Sequence, residues 1–470
     1  MELVRKLIVG YNYFIAIYLA FYATYLLVSG VFGSIMILKK RRYEQLNNVL
    51  SHDYYYPMSI IVPMYNEGIS GLQTVENLLK LDYSLYEIII VDDGSKDDTK
   101  QQLIDRFNLE RGFDKPIRYA VKCKTINEQY YGKINGVSIT LISKDNGGCK
   151  ADAVNAGINV CNYPYIVNMD GDEILQKDSL TYAARAILEE DDVIGVGGNL
   201  KISNSVSFAD GMPVKMTLGK NLLADLQTLE YSRGFIGAKV FQGEMNANLI
   251  ISGGFGIYKK SAIVEVGGYD TTSMGEDMEL TVKLHEYYKK NKRNYKMKYV
   301  PESVCWTQGP ATMSDLKKQR QRWHCGLIQT LAKYKKMILN PKYGVIGMFM
   351  LPYCIMYELL NPIIMVSGWF VIVAGLYLHM LRFPFILIIY GLYILFSLLL
   401  SIISYIDNYS GDKKRVKFSD LVRVFGIGLA DGFFFRPYLS VIEFTSAFKM
   451  KKLRQKWESP KRVQIEVDEK

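Results

Sequence analysis

The chain has 470 residues, 49% of them hydrophobic, and its 57 Lys and Arg against 47 Asp and Glu give a formal net charge of +10. This length allows two or three domains, and the positive excess is clustered beside apolar segments, which favours anionic lipid headgroups over a nucleic-acid partner. Six cysteines without a Cys-x-x-Cys pair and four scattered histidines argue against a zinc site or a disulfide framework.

The first predicted element is an uncharged apolar segment at residues 7–38, which is long enough to cross a bilayer. It ends at Lys39-Lys40-Arg41-Arg42, and a basic cluster of this kind marks the cytosolic side of a span. No obvious small-residue cleavage site precedes the cluster. A retained anchor is therefore favoured over a removed signal peptide.

Short apolar runs that alternate with helical patterns follow this segment. Such alternation predicts an α/β domain with a mostly parallel sheet. A loop or β-excursion is expected at 122–138. The predicted strands are 58–63, 87–91, 139–143 and 165–169, and the first predicted helix is 71–81.

Polar residues stand directly after three of these strands, where open α/β sheets bind their ligands. Asp170-Gly171-Asp172 follows the last of them, and two carboxylates one residue apart can hold a hard divalent cation that bridges phosphate oxygens. The intervening glycine lets a ligand approach the backbone closely. The alternative interpretation is a solvated acidic turn.

Two further polar segments suit a nucleotide. Asp93, within the sequence Asp-Asp-Gly-Ser, can accept hydrogen bonds from a base or ribose, although this sequence is also an ordinary turn. Lys150 follows two glycines and precedes a predicted helix, an arrangement that suits an anion at a helix N-terminus. The spacing differs from that of a Walker P-loop, which argues against an NTPase.

Glu276 and Asp277 open a helical pattern at 278–285. A carboxylate at this position can act as a general base towards an incoming hydroxyl, whereas the helix dipole alone also favours acidic residues there. Ser252, Gly253 and Gly254 form a small-residue stretch where a sugar ring could approach the backbone. A plain glycine turn is the alternative for that stretch.

Gln319, Arg322 and Trp323 form a Gln-x-x-Arg-Trp cluster inside a basic stretch, just before the chain turns apolar. A guanidinium clamps a diphosphate bidentately, and an indole offers a flat face to a sugar ring. The alternative is an amphipathic surface helix whose tryptophan lies at the lipid headgroups.

The C-terminal part is apolar again, with candidate spans near 345–378, 383–405 and 419–448. Glu358, Asn361, Arg382 and Arg436 lie within these apolar surroundings and would fit the lining of a channel for the sugar chain, although snorkelling near the interfaces is the plain explanation for some of them. Basic clusters lie on both sides of 419–448. A single crossing by that segment cannot place both in the cytosol, so a broken or re-entrant arrangement is also allowed.

The order of these motifs resembles that of the membrane-embedded, processive family-2 glycosyltransferases, which include cellulose, chitin, hyaluronan and poly-N-acetylglucosamine synthases and related β-glucan synthases. The resemblance covers about residues 55–325. It implies an α/β GT-A domain with a mostly parallel sheet, combined with an all-α transmembrane region. The motifs are PMYNE (63–67), VDDGS (91–95), GGCKADAVNAG (147–157), DGD (170–172), SGG (252–254), GED (275–277) and QRQRW (319–323).

The same resemblance implies a role for each motif. Asp170 and Asp172 would coordinate Mg²⁺ or Mn²⁺, and Asp277, with Glu276 beside it, would be catalytic. The implied donor-binding residues are Tyr65, Glu67, Asp93, Lys150, Asp170, Asp172 and Arg322. The implied acceptor-binding residues are Ser252, Gly253, Gly254, Gln319 and Trp323.

The implied reaction is a single inverting displacement that extends a β-linked polysaccharide and passes it across the membrane. UDP-glucose and a β-glucan product are narrowly favoured. The alternatives are a UDP-N-acetylglucosamine polymerase, a monofunctional transferase to a polyprenyl phosphate, and a non-catalytic membrane protein on a degenerate transferase fold. The intact acidic motifs argue against the non-catalytic protein. Monofunctional transferases to a polyprenyl phosphate usually lack Gln-x-x-Arg-Trp.

The implied location is the cell membrane, multi-pass, with the catalytic domain in the cytosol. Expected partners are a UDP-sugar, the growing polysaccharide and membrane lipids, with accessory secretion proteins or a second copy as further candidates. Trp457 loosely resembles a C-terminal gating segment, and an interfacial anchor is its alternative. The implied divisions are 1–42 (transmembrane anchor), 43–312 (GT-A domain), 313–342 (interface helices), 343–448 (channel region) and 449–470 (basic tail).

Overall fold

A computed structural model describes residues 2–46, 55–112, 116–216, 218, 221–380, 383–409 and 418–450. A ten-stranded mixed sheet forms the centre of the chain, and apolar helices stand at both ends of the sequence. Strands β9 and β10 form a separate two-stranded antiparallel sheet. The twelve strands of the described residues are β1 Met58–Met64, β2 Tyr86–Asp92, β3 Glu110–Arg111, β4 Ile126–Ile134, β5 Val137–Lys144, β6 Tyr165–Met169, β7 Ile174–Leu175, β8 Val193–Ile202, β9 Val206–Ala209, β10 Met212–Met216, β11 Phe255–Lys259 and β12 Lys296–Thr307.

Fifteen α-helices are present in the described residues. Four short π-helical turns interrupt the helical segments, at Arg233–Ala238, Ile346–Met350, Ile355–Leu359 and Asp431–Phe435. The α-helices are α1 Glu2–Leu46, α2 Gly68–Leu78, α3 Thr99–Phe107, α4 Lys150–Val160, α5 Ser179–Leu188, α6 Leu222–Ser232, α7 Lys239–Glu244, α8 Lys260–Glu265, α9 Glu276–Lys290, α10 Met313–Lys333, α11 Leu351–Cys354, α12 Asn361–Tyr377, α13 Phe383–Tyr409, α14 Phe418–Ala430 and α15 Arg436–Ser446.

The central strands β5, β2, β1 and β6 are parallel, and the sheet order is β3-β4-β5-β2-β1-β6-β11-β8-β12-β7. Strands β4 and β11 pair antiparallel with their inner neighbours, β5 and β6. The mostly parallel α/β sheet predicted from the sequence is therefore confirmed. The carboxyl ends of β1, β2 and β6 lie side by side at one edge, because parallel neighbours in close register end together.

Both faces of the sheet are covered, because alternate residues of each strand point to opposite sides. On β1, Ile60 and Val62 pack with α2, α3 and α5, whereas Ile61 packs with α4, α8 and α9. The strands consequently read as continuous apolar runs rather than as alternating ones, which is the pattern of a sheet buried on both faces. The sheet is thus packed between two apolar cores.

Several element bounds differ from the sequence prediction by a few residues. The helix predicted at 71–81 begins at Gly68 and ends at Leu78, and the pattern predicted at 278–285 is the longer α9. The stretch 122–138 contains β4, so the β-excursion is the correct alternative there. Apolar periodicity locates a helix without fixing its terminal residues, which explains the shifts.

Within the described residues, α1 is the helix long and apolar enough to cross a membrane by itself, over Glu2–Lys40. The pair Ile346–Leu359 and Asn361–Tyr377 passes the same test only when both halves, bent by 44°, count as one span. The predicted span 419–448 consists of α14, a π-helical turn and α15, and it does not pass this test of length and composition. The multi-pass arrangement stays a prediction.

Candidate active site

A cavity of about 1340 Å³ opens at the carboxyl edge of the sheet and continues towards the apolar helices. Fourteen residues singled out in the sequence line it, although they come from seven separated segments. These residues are Tyr65, Glu67, Asp93, Lys150, Asp170, Asp172, Ser252, Gly253, Gly254, Glu276, Asp277, Gln319, Arg322 and Trp323. The structure therefore brings together every candidate that lies in the described residues. Trp457 lies outside them.

Asp93 forms the floor of the cavity at the end of β2. One carboxylate oxygen, Oδ1, accepts from the buried Lys144 ammonium and from the Gly147 backbone N–H at 3.0 Å, whereas Oδ2 is buried without a hydrogen-bond partner. Lys144 also pairs with Asp152 at 2.7 Å. Burial raises the pKa of the Asp93 carboxyl, and the Lys144 ammonium opposes that rise. The unpartnered oxygen leaves room for one more donor at this position.

The turn after β1 is fixed to the turn after β2. Asn66 has a left-handed backbone (φ 54°), and its Oδ1 accepts from the Lys96 N–H at 2.8 Å, while its own N–H donates to the Ser95 hydroxyl at 3.1 Å. Gly171 packs against this turn, because a Cβ there would lie 3.2 Å from the Pro63 carbonyl oxygen. Glycine at the centre of the acidic motif is therefore a packing requirement as well as a turn signal.

Lys150 ties two loops of the cavity together. Its ammonium pairs with the Asp170 carboxylate and donates to the Gly253 carbonyl at 2.6 Å. The Asn168 amide nitrogen donates to the same carbonyl at 3.1 Å. In the sequence, Lys150 suggests an anion site at a helix N-terminus, and in the folded chain its charge is already shared with Asp170.

Glu173 is a buried carboxyl directly behind the acidic motif, and sequence reasoning gave it no role. It accepts from the Asp170 backbone N–H at 3.3 Å, and a Cβ at Gly254 would overlap its Oε1. Burial, together with the charges of Asp170 and Asp172, raises the pKa of the Glu173 carboxyl well above its ordinary value. The only sequence signal for a buried carboxyl at Glu173 was its position next to the two aspartates.

Asp170 and Asp172 both face the cavity, where a divalent cation would meet a nucleoside diphosphate. Among the described residues no group of three or more His, Cys, Asp and Glu side chains is arranged to hold a metal ion. Two carboxylates next to a phosphate site still suit a hard cation that keeps waters and substrate oxygens as its other ligands. The residues present therefore fit Mg²⁺ or Mn²⁺ bound together with the substrate.

Asp277 stands in the first turn of α9, beside the small-residue stretch. Its Oδ2 accepts from the Gly253 N–H at 3.1 Å, and its Oδ1 accepts from the Met278 N–H at 2.8 Å. The neighbouring Glu276 also faces the cavity, and burial followed by the nearby Asp277 charge raises the pKa of its carboxyl. These two backbone donors fix the orientation of the Asp277 carboxylate at the start of α9.

Helix α10 carries the Gln-x-x-Arg-Trp cluster along one wall. Arg320, which was not singled out in the sequence, is buried, binds Glu230 of α6 with two hydrogen bonds of 2.6 and 2.7 Å, and stacks over the Trp323 ring at 4.4 Å. Trp323 itself stays 40% exposed. Arg322 is exposed, and the described part of the chain offers it no ion pair. One arginine thus holds the helix, and the other is available to a ligand.

The cavity extends beyond these motifs to the apolar helices. Its far end is lined by Tyr22 of α1, Tyr357 and Glu358 before α12, Tyr393 of α13 and Arg436 of α15. Glu358, Asn361 and Arg436 were expected in the sequence to line a channel, and the structure places them on this wall. Arg382 lies outside the described residues.

Two family models match the chain. The model described as "Glycosyl transferase family 2" matches residues 59–266, and the model described as "Glycosyl transferase family group 2" matches residues 165–406, just over half of the chain. The two ranges together contain all fourteen of the cavity residues that the sequence singled out.

The chain is similar to named relatives in sequence and to a solved structure in fold. The chain is 30% identical over 312 residues to poly-beta-1,6-N-acetyl-D-glucosamine synthase of Staphylococcus aureus (strain COL), and 29% identical to the protein of the same name from Staphylococcus epidermidis. Each alignment covers 66% of this chain and 64% of the relative. A mannosyltransferase from Pyrobaculum calidifontis, solved with GDP-Man and Mn²⁺, matches 92% of this chain and 99% of its own at a TM-score of 0.50 and 15% identity, which shows a shared fold alone.

Proposed function

The chain belongs to glycosyl transferase family group 2, and on this premise we propose that it is a processive synthase that polymerises a β-linked polysaccharide from a UDP-sugar. One observation carries the proposal. Acidic, basic and aromatic residues from seven chain segments line one cavity that continues from the sheet edge to the apolar helices. A transferase that releases a short product has no need of such a continuation.

The nucleotide end of the proposed donor site is the floor at Asp93. Its unpartnered Oδ2 is suited to accept from the imide N–H of a uracil ring, since a buried acceptor without a donor is costly. Tyr65 and Glu67 line the cavity beside it, on the turn that Asn66 anchors. This arrangement supports a pyrimidine nucleotide at the ends of β1 and β2.

The diphosphate would lie between the acidic motif and α10. Lys150 and the exposed Arg322 both line the cavity and supply positive charge. Asp170 and Asp172 would hold Mg²⁺ or Mn²⁺, which when bound neutralises diphosphate charge. Without bound donor, the Asp170 carboxylate neutralises the Lys150 ammonium. The cationic and the anionic residues of the site can therefore lie close together.

In the proposed reaction, Asp277 accepts the proton of an acceptor hydroxyl. The hydroxyl oxygen bonds to the anomeric carbon of the donor while the bond from that carbon to the diphosphate oxygen breaks, and UDP leaves with the electron pair. Arg322 stabilises the charge that develops on UDP. Attack from the face opposite the leaving group inverts the configuration, so an α-linked donor gives a β-linked product.

The acceptor would stack on Trp323, with Gln319 and the Ser252–Gly254 stretch at its sides. Stacking on an indole requires a fixed ring orientation, and the Arg320 guanidinium held by Glu230 provides it. Each added sugar would then advance towards the polar residues at the far end of the cavity.

UDP-N-acetylglucosamine is the donor that we favour, in place of the UDP-glucose that the sequence alone narrowly favoured. The support is the 30% identical relatives, which are named for a poly-β-1,6-N-acetylglucosamine product.

The proposed location is a membrane with the sheet domain in the cytosol, where UDP-sugars are made. The support is a contact between Lys40, in the basic cluster of α1, and Glu302 of β12 at 3.2 Å. The sheet domain therefore lies at the basic end of α1, which is the cytosolic end by the positive-inside rule.

The testing experiment is UDP release by the full-length protein in mild detergent with UDP-N-acetylglucosamine, UDP-glucose or GDP-mannose as donor and with Mg²⁺ or Mn²⁺. We expect release with UDP-N-acetylglucosamine and a long product that a β-N-acetylglucosamine-specific glycosidase degrades. A single sugar on an extracted polyprenyl phosphate would replace the proposal with the monofunctional reaction. Absence of UDP release with all donors, from protein that still binds UDP, would contradict enzymatic activity.

A further inference from the structure

A second cavity of about 540 Å³ lies between α1, α13 and the π-helical turn Arg233–Ala238. Its volume is within the range of roughly 300–1,000 Å³ that small-molecule sites occupy. Most of its wall is apolar, with Leu19, Ala20 and Leu26 of α1 facing Phe396 and Leu400 of α13. Small side chains on α1 leave this space open between two helices that otherwise pack together.

One end of the second cavity is polar and cationic. Among the described residues, the charged side chains that line it are Arg233, Lys239 and Arg436 against the single carboxylate Glu358. Arg233 and Arg436 share one further carboxylate, Asp431, at 2.8 and 3.0 Å.

A buried hydroxyl lies on the same wall. Ser397, which is 5% exposed, has an Oγ without a hydrogen-bond partner. The second cavity thus has an excess of positive charge at its polar end and an unused donor on its wall, while most of the remaining wall is apolar.

This cationic end is also the boundary with the active-site cavity. Arg233, Lys239, Glu358 and Arg436 line both cavities, so one layer of side chains separates them. On the other side stands α1, whose apolar window is only 11% buried and therefore faces the surroundings over most of its length. In a bilayer, those surroundings are acyl chains.

The occupant that these walls favour is an amphiphile rather than a sugar chain. A polysaccharide needs hydrogen-bond partners along its length, which leucine, alanine and phenylalanine side chains do not offer. An acyl chain gains free energy from the same apolar walls, and the cationic end attracts a phosphate. We propose that this cavity binds one acyl chain of an anionic glycerophospholipid, with the phosphate against Arg233 and Lys239.

Bound in this way, the lipid completes the wall between α1 and α13 and closes the gap beside the active-site cavity. The lipid site is independent of the sugar donor, so its occupancy is measurable on protein that transfers no sugar. Failure of lipid binding and failure of the proposed synthase activity are therefore separate results.

The test is native mass spectrometry of the full-length protein, delipidated in mild detergent and titrated with dioleoyl phosphatidylglycerol or dioleoyl phosphatidylcholine. We expect one phosphatidylglycerol per chain, bound at least tenfold more tightly than phosphatidylcholine. Ala20→Phe fills the cavity and should weaken phosphatidylglycerol binding at least tenfold. Ala16→Phe, at another point of the same wall, should do the same if Ala20→Phe fails to fold.

The matched control is Ile17→Phe, which adds similar bulk to the outward face of α1, where Ile17 is 57% exposed and does not line the cavity. Its lipid binding should equal that of the unmodified protein. Equal affinity for the two phospholipids, or full binding by folded Ala20→Phe and Ala16→Phe, would overturn the proposal. Displacement of phosphatidylglycerol by a polyprenyl phosphate at tenfold lower concentration would also overturn it and assign the cavity to a lipid-linked sugar acceptor.

Discussion

Gly275 and Gly326 are in backbone contact, so that a Cβ placed on Gly326 would lie 2.7 Å from the Cα of Gly275. Gly275 directly precedes Glu276 and Asp277 on α9, and Gly326 follows Trp323 by three residues on α10. The distance between the proposed base and the proposed acceptor platform therefore depends on two residues that have no side chain. Glycine is required here for close approach of two backbones.

We expect Gly326→Ala to push α10 away from α9 and to reduce sugar transfer strongly, at a stability cost of about 1–3 kcal/mol from overpacking. UDP release and the melting temperature in detergent measure the two effects. Gly391→Ala on α13 is the control, because a Cβ added there would meet nothing within 4 Å, and a helical alanine in open space stabilises by up to about 1 kcal/mol. Normal transfer by Gly326→Ala would contradict the coupling of the two helices.

Asp277→Asn should lower sugar transfer by about 10²–10⁴-fold, because an amide does not accept the proton of the acceptor hydroxyl. UDP affinity, measured by calorimetry, should stay unchanged, since Asp277 contacts the Gly253 backbone rather than the proposed nucleotide floor. Glu286→Gln on the same helix serves as the charge-matched control and should retain activity. Polymer synthesis by Asp277→Asn at the normal rate would show that another group is the base.

Asp93→Asn should weaken UDP binding by about 1–3 kcal/mol, because a neutral amide replaces the carboxylate whose Oδ2 is proposed to accept from uracil. Calorimetric titration with UDP and with GDP checks the effect, which should be larger for UDP. The exposed Asp145, which accepts from Asn127 at 2.9 Å, provides the control substitution Asp145→Asn. An unchanged UDP affinity in Asp93→Asn would remove Asp93 from the donor site.

Trp323→Ala should abolish long polymer while leaving UDP binding intact, because the indole is proposed to hold the acceptor and not the donor. Arg320→Lys should give shorter product chains, since a lysine cannot make the two hydrogen bonds to Glu230 or keep the same stacking on Trp323. Product length is read by gel electrophoresis or size exclusion. Lys317→Ala, on the exposed face of α10, should make polymer of normal length, and equally long polymer from Trp323→Ala would contradict the acceptor role.

His285 should make the stability of the sheet domain depend on pH. It is buried between the Tyr295 hydroxyl at 2.7 Å and the Asn248 carbonyl at 2.8 Å, and burial lowers its pKa to about 4. In the unfolded chain the imidazole has its ordinary pKa of about 6.5. The contribution of buried, neutral His285 to the free energy of unfolding is therefore fully present above pH 6.5 and is lost as the pH falls towards 4. The loss amounts to about 3 kcal/mol.

Melting temperatures between pH 4.5 and 7.5 check this expectation. The unmodified protein should lose stability towards the acid end more steeply than His285→Gln, which has no group to protonate. His379→Gln changes an exposed histidine and should leave the slope as it is. A slope in His285→Gln equal to that of the unmodified protein would assign the acid sensitivity to other groups.

The sequence by itself determined the four parallel strands at the centre of the sheet and the positions of their polar ends. Runs such as 165–169 are short, apolar and followed at once by aspartates, and parallel neighbours must end at a common edge, so Asp93 and Asp170 could be placed near each other without coordinates. The order of the motifs then identified the family, because chain order and spacing are properties that the sequence carries completely.

Only the tertiary structure decided which partners these residues have. The pairing of Lys150 with Asp170, the role of Arg320 rather than Arg322 in holding α10, and the contact of Gly275 with Gly326 join segments that are 20 to 90 residues apart. No local pattern encodes such distances, because they follow from how helices and loops pack against one another. The continuation of the active-site cavity to the apolar helices, and the second cavity beside α1, arise from that packing for the same reason.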